Sequence, residues 1–232
     1  RESLFSDNGT RRRRVMSEAR LEILNNIRKS LTAGEPKTSQ RTSELRARLK
    51  STAPQIQPKF TDDNLTRFCE KHVAVHGTYE LIKRVDIETA VLRYLHGLEI
   101  DPQIHLGAGP CLDQVVWSEN VFIYKKSADK NTRVAVSEAF AAIAETGTLV
   151  MRSGGDLLPS HNFLPDDHIV IADCERIVRY QEDVWSMLRK DDHFPQRAIN
   201  LITGPSKTGD IEQTIQYGAH GPRRLHVLIV KD

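Results

Sequence analysis

The sequence predicts an α/β protein: a mixed, mostly parallel sheet with helices on both faces, preceded by an N-terminal helical arm. Three observations carry this. Apolar runs of strand length, such as Val134–Val136, Ile169–Ala172 and Leu225–Val230, recur through the second half of the chain. Segments of helical periodicity separate them. The runs are near-continuously apolar, as in strands covered on both faces. A length of 232 residues suits one sizeable domain with appendages.

Ser17 is a good N-cap, and Leu21, Leu24, Ile27 and Leu31 then form one apolar helical stripe that Gly34 and Pro36 end. A weaker helix holds Leu45 and Leu49, and Ser51–Pro58 reads as a linker. These first helices bury little alone and are expected to pack on the main domain or on a second chain. Three parts follow: residues 1–15 as a disordered basic extension, 16–58 as helices and linker, and 59–232 as the α/β domain. In that domain, Thr61, Asp62 and Asp63 start a helix carrying Leu65, Phe68 and Cys69. A strand at Tyr79–Ile82 and a helix from Asp86 to Gly97 come next. Apolar segments follow at Ile104–Leu106, Val115–Trp117 and Val121–Tyr124. Glu138–Glu145 is Ala-rich and reads as a helix, and Thr148–Met151 as a strand. The remainder reads as helix Tyr180–Arg189, strand Ile199–Thr203, helix Ile211–Tyr217 and the last strand.

Charge is unevenly spread. Residues 1–55 hold 13 Lys and Arg against 6 Asp and Glu, and the rest 20 against 25. The basic run Arg11–Arg14 has no interleaved aromatic residues, which argues against a nucleic-acid surface. No run approaches the roughly 20 apolar residues of a membrane helix. No secretory signal pattern is visible either. Cys69, Cys111 and Cys174 are scattered, which fits a reducing cytoplasm better than a disulfide framework. With no Cys-x-x-Cys pair, the chain is expected to hold neither an iron–sulfur cluster nor a four-cysteine zinc site.

Three constellations stand out. In Ala144–Leu149, Gly147 suits a left-handed helix cap. Glu145 would then oppose the negative end of the helix dipole, which makes it a candidate nucleophile or base. In Thr203–Glu212, an apolar strand turns at Gly204-Pro205 into an expected helix. There the free amides, Ser206, Thr208, Asp210 and the Lys207 ammonium would hold a small anion. The spacing is not that of a P-loop. In Gly218–Pro222, His220 sits in a turn. Strand direction then places Glu145 and the Ser206–Asp210 loop on one pocket, with His220 outside it. His161 and His168 flank Asp166 and Asp167, but Pro165 and the spacing fit no metal arrangement.

Three segments, AIAETGTLV at Ala142–Val150, LPDDHIVIA at Leu164–Ala172 and ITGPSKTGDIEQTIQYGAHGP at Ile202–Pro222, together resemble the LUD-domain family. The opening Ser17–Leu31 is similar to the start of such proteins. The resemblance implies a fold of the CoA-transferase and sugar-phosphate-isomerase class. It implies a three-protein cytoplasmic system oxidising L-lactate to pyruvate, with iron–sulfur clusters housed in two cysteine-rich partners and none here. This chain would be a non-redox subunit binding its partners, and L-lactate or another small carboxylate, and compatible with a homo-oligomer. The residues matching the family's motifs are Thr148, Ser206, Lys207, Thr208 and Asp210 as ligand-binding candidates. His168 and His220 are partner or site candidates. The alternative is a stand-alone enzyme acting on a small carboxylate or acyl thioester through Glu145.

Overall fold

The computed structural model describes residues 8–32, 39–50, 57–154, 157–192, 195–211 and 214–231. The chain divides between Ile56 and Gln57 into two units. The first holds α1 (Asn8–Thr32) and α2 (Ser39–Lys50). Helix α1 starts at Asn8, so the expected opening at Met16 with a Ser17 cap is corrected. Arginine is a good helix former, and Arg11–Arg14 prolong the helix. Leu21, Ile27 and Leu31 are exposed on it. The expected stop at Gly34 and Pro36 lies outside the described residues, as does most of the linker.

In chain order the second unit contains α3 (Asn64–Ala74), β1 (Thr78–Ile82), α4 (Ile87–Gly97), β2 (Gln103–Leu106), β3 (Phe122–Tyr124) and β4 (Val134–Glu138). Then come β5 (Ala141–Ile143), β6 (Thr148–Arg152), β7 (Asp167–Asp173), β8 (Ile177–Val178) and α5 (Gln181–Leu188). The last are β9 (Ile199–Ile202), β10 (Lys207–Ile211), β11 (Thr214–Tyr217) and β12 (Arg224–Val230). Six strands form one sheet in the order β1-β12-β7-β4-β2-β3, and every pairing in it is parallel. A second sheet has the order β8-β5-β6-β9, antiparallel on both sides of β6. Strands β10 and β11 form a hairpin.

Alternate residues of the parallel strands face opposite ways. Ile104, Val134, Val136, Ile169, Ile171 and Leu228 pack under α4, against Ile87, Ala90, Val91 and Leu95. On the other face Val170, Ala172, Val227 and Ile229 meet Phe68 and Cys69 of α3 and residues of the second sheet. Helix α5 closes the far side of that sheet through Val184 and Leu188. The layers are therefore helix, sheet, helix with sheet, and helix. At the amino edge of the large sheet, the buried Asp167 accepts from Tyr94 Oη at 3.0 Å and from Nε and Nη2 of Arg224.

Two expected helices are strands. Glu138–Glu145 is the end of β4 followed by β5. Ala142 and Ala144 point into one cluster while Ala141 and Ile143 point into another. That period of two, with small side chains buried on both faces, outweighs the helix propensity of alanine. Gly147 does adopt a left-handed φ of +69°, but at the β5–β6 turn and not at a helix end. Lys207–Ile211 and Thr214–Tyr217 pair as β10 and β11, where β-branched and aromatic residues such as Thr208, Thr214 and Tyr217 suit extended chain. Val115–Trp117 is irregular chain. Thr148–Arg152 belongs to the second sheet, so the stretch from Arg152 to Asp167 connects two sheets and is no hairpin turn.

Among the described residues, no helix is long and apolar enough to cross a membrane.

Two packing details yield predictions. A Cβ at Gly147 would lie 2.5 Å from the backbone nitrogen of His72 in α3, and the left-handed φ already disfavours a side chain. Gly147→Ala is expected to destabilise by about 1–3 kcal/mol, read as a lower urea midpoint. Burial also holds His168 neutral, with its pKa pushed down to about 3, and holds that of His226 down to about 4. Both lie below the unfolded value of about 6.5, so the unfolded chain binds more protons beneath it. Their contribution to stability is complete above that pH and is lost as pH falls toward the folded values. Each unit of pH in the interval costs about 1.4 kcal/mol per histidine. Thermal melts should show a steady fall below about pH 6.5, and a flat profile down to about pH 5 would contradict this.

Candidate functional site

In an open parallel sheet, ligands gather outside the carboxyl ends of the strands, where neighbouring connections leave in opposite directions. Here that point lies between β2 and β4. From β2 the chain runs outward to β3, and from β4 it runs inward to β7 and then β12. The loop Gly107–Cys111 follows β2, and Glu138 is the last residue of β4.

These two segments are tied together. Glu138 Oε2 accepts from the backbone amides of Cys111 at 2.8 Å and Leu112 at 3.0 Å. Gly109 permits the approach: a Cβ there would fall 2.3 Å from Oε2 and 2.6 Å from the Glu138 Cβ. Burial pushes the Glu138 carboxyl above its usual range, against the two amide bonds that favour its charge. Both bonds fall on Oε2.

Glu138 lines a cavity of about 390 Å³. Arg84, from the segment after β1, reaches it and places Nη1 2.7 Å from Cys111 Sγ. Burial, helped by the nearby Glu138 carboxylate, raises the Cys111 pKa to about 11. The sulfur is therefore a thiol at neutral pH and no ready nucleophile. The opposite wall comes from the second sheet. Arg152 at the end of β6 and Arg176 after β7 stand over the Phe140 ring, 4.4 and 4.6 Å from its centroid. Arg176 Nε also donates to the Phe140 carbonyl, and Arg152 pairs with Asp191. Three guanidiniums, an aromatic ring, the raised Glu138 carboxyl and the Asp173 and Asp191 carboxylates thus line one space. Such a set grips a carboxylate through the guanidiniums and takes a neighbouring hydroxyl on Glu138.

The residues singled out from the sequence lie elsewhere. Glu145 and Thr148 sit at the other end of the β5–β6 hairpin from Arg152. Without a helix, the argument from an unfavourable dipole at Glu145 falls away. Its amide donates to the Arg179 carbonyl at 3.1 Å. Thr148 Oγ1 lies 2.7 Å from Thr203 Oγ1 and 2.6 Å from Thr146 Oγ1, a row of three hydroxyls. Lys207 and Thr208 are on strand β10, as is the backbone of Asp210, so no helix start supplies anion-binding amides there. Strand β6 does run antiparallel, as the shared pocket required, but His220 is not apart from Ser206. Ser206 Oγ accepts from the His220 amide at 3.3 Å, and Ser206 N donates to the Pro222 carbonyl at 2.8 Å. The hairpin returns the chain to its start, where a helix would have carried it across. His168 is fully buried, with Nε2 3.1 Å from Ser137 Oγ. None of these residues lines the Glu138 cavity.

Among the described residues, no group of three or more His, Cys, Asp or Glu side chains is placed to hold a metal ion.

The sequence signals for the Glu138 cavity were an acid ending an apolar strand, the Gly-Ala-Gly-Pro turn after another, and an arginine closing a third. Reading Glu138 as the start of a helix hid the first.

A family model described as the LUD domain matches residues 68–230. Lactate utilization protein C of Macrococcus caseolyticus is 27% identical over 176 residues, covering 74% of this chain and 70% of that protein. Lactate utilization protein C of Bacillus subtilis is 32% identical over 111 residues, 47% of this chain and 45% of that protein. An uncharacterized protein of Neisseria meningitidis serogroup B is 28% identical over 119 residues, 51% of each chain. The chain thus spans about half the length of the latter two. The crystal structure of a DUF162 family protein from Deinococcus radiodurans superposes with a TM-score of 0.53 at 19% identity, covering 75% of this chain and 100% of that one. That likeness shows the fold.

The thiol offers a check on the geometry. Glu138→Gln removes the carboxylate that helps hold the Cys111 thiol protonated. Alkylation of Cys111 in the folded protein, followed by mass spectrometry, should become a few-fold faster, in line with a thiolate fraction set by pKa. An unchanged rate would contradict the coupling.

Proposed function

Because this chain belongs to the LUD-domain family, we propose that it serves a lactate utilisation system and binds L-lactate, or a small carboxylate like it, in the Glu138 cavity. The observation that carries this is the pairing of guanidiniums with a half-buried carboxyl at the point where the sheet reverses direction. A 2-hydroxy acid presents a carboxylate beside a hydroxyl, which is the complement of that pairing. In this reading Arg152 and Arg176 hold the carboxylate, with Phe140 keeping the two guanidiniums in place. Glu138 Oε1 accepts the hydroxyl hydrogen. The raised carboxyl takes up a proton more readily than an ordinary glutamate.

The relatives named lactate utilization protein C support the physiological setting. Conversion of L-lactate to pyruvate removes two electrons. With only three cysteines and no Cys-x-x-Cys pair, this chain is read as the non-redox subunit. Two cysteine-rich iron–sulfur proteins are its proposed partners and carry the electrons.

Calorimetric titration with L-lactate tests the cavity. The parent should bind, and Glu138→Gln and Gly109→Ala should each weaken binding about tenfold or more, the loss of a hydrogen bond to a charged group. The same variants should fail to restore growth on lactate to a strain lacking the gene. Full growth with Glu138→Gln, or titration curves that match the parent's, would overturn the reading.

A further inference from the structure

A second cavity opens on the other flank of the loop that follows β2. It has a volume of about 710 Å³, and Gly107, Ala108 and Leu112 form its boundary with the Glu138 side. Its chemistry differs. Leu112, Ile123 and Trp117 make an apolar wall, and Lys125 and Lys126 stand at its rim. Both lysines are exposed, and the Lys126 ammonium lies 5.3 Å from the centroid of the Tyr124 ring. Asp113 is the acidic residue among the lining, so the lysines outnumber it. The Trp117 indole N–H is buried and has no hydrogen-bond partner among the described residues.

We infer that this cavity binds an organic phosphate with a flat ring system, of the kind a nucleotide presents. The ring lies in the apolar part beside Trp117, where stacking is favourable for any heteroaromatic base. The phosphates reach the two lysine ammoniums, which bind them as point charges. The position, outside the carboxyl ends of β2 and β3, is on the ligand-binding edge of a parallel sheet. A ligand there would be separated from the Glu138 cavity by a single loop. The inference does not depend on lactate binding, since the two cavities have different side chains.

The test is titration of the full chain with ADP, followed by tryptophan emission and by calorimetry, with adenosine and inorganic phosphate as controls. ADP should quench emission with a dissociation constant in the millimolar range or tighter, and binding should weaken with added salt. Adenosine and phosphate alone should each bind about tenfold more weakly or worse. Lys125→Ala combined with Lys126→Ala should weaken ADP about tenfold while leaving the melting temperature and the L-lactate titration as in the parent. Trp117→Phe should abolish the quench and leave the emission of Trp185 unchanged by ADP. Absence of ADP binding at millimolar concentration would overturn the inference. So would equal ADP affinity in the double lysine variant, or equal binding of adenosine. Because Glu138→Gln is expected to lose L-lactate and retain ADP, failure at one cavity is distinguishable from failure at the other.

Discussion

The bonds from the Cys111 and Leu112 amides to Glu138 fasten the end of one parallel strand to the loop leaving its neighbour. Everything at the carboxyl edge depends on that fastening. It sets the position of the turn that separates two cavities, and it brings Cys111 under Arg84. It also explains why position 109 has no side chain, since any Cβ would occupy the space of the carboxylate. A buried acid is costly unless its hydrogen bonds are met. Here one oxygen is met by two amides of the chain itself. The arginines opposite are held by different means, two of them against one phenylalanine ring. The site is thus assembled from two sheets, with charged side chains arriving from both.

Much of the framework was legible in the sequence. Parallel strands buried on both faces leave apolar runs that local periodicity detects, and β4, β7 and β12 were found that way. Helices α3, α4 and α5 carried caps or amphipathic spacing. The second sheet was harder. Strand β5 is built from alanines because two layers close on it, and alanine-rich chain looks helical when only neighbours along the sequence are considered. The β10–β11 hairpin was missed for a related reason: a Gly-Pro turn followed by Ser, Thr and Asp suits a helix start as well as a strand start. The site suffered most from these errors. Glu145 drew interest only because a helix was assumed around it, whereas Glu138 was assigned to the wrong element altogether. Arg84, Arg152 and Arg176 are far apart in sequence, and only the meeting of two sheets brings them together.

Membership of the LUD-domain family rests on a match across most of the second unit, and the shared motifs now have physical roles. The Glu145–Thr148 segment is the turn that seats the β5–β6 hairpin on α3, through a glycine with no room for a side chain. The Gly204-Pro205 segment seats the end of β9 on the same helix, since a Cβ at Gly204 would lie 2.6 Å from the Val75 carbonyl oxygen. Both motifs therefore read as architecture around α3, while the polar cavity draws its residues from segments of lower apparent distinctiveness.

The position of β12 has a consequence for synthesis. It lies between β1 and β7 in the large sheet, bonded to both, yet it is the last described strand in the chain. Until residue 230 has left the ribosome, β1 has no neighbour, and α3 and α4 have only part of the surface they cover. The nascent chain carries that open seam from the synthesis of β1 until β12 emerges. Pairings this distant form late and leave apolar edges exposed meanwhile. The large sheet is complete only once β12 slides into the gap between β1 and β7.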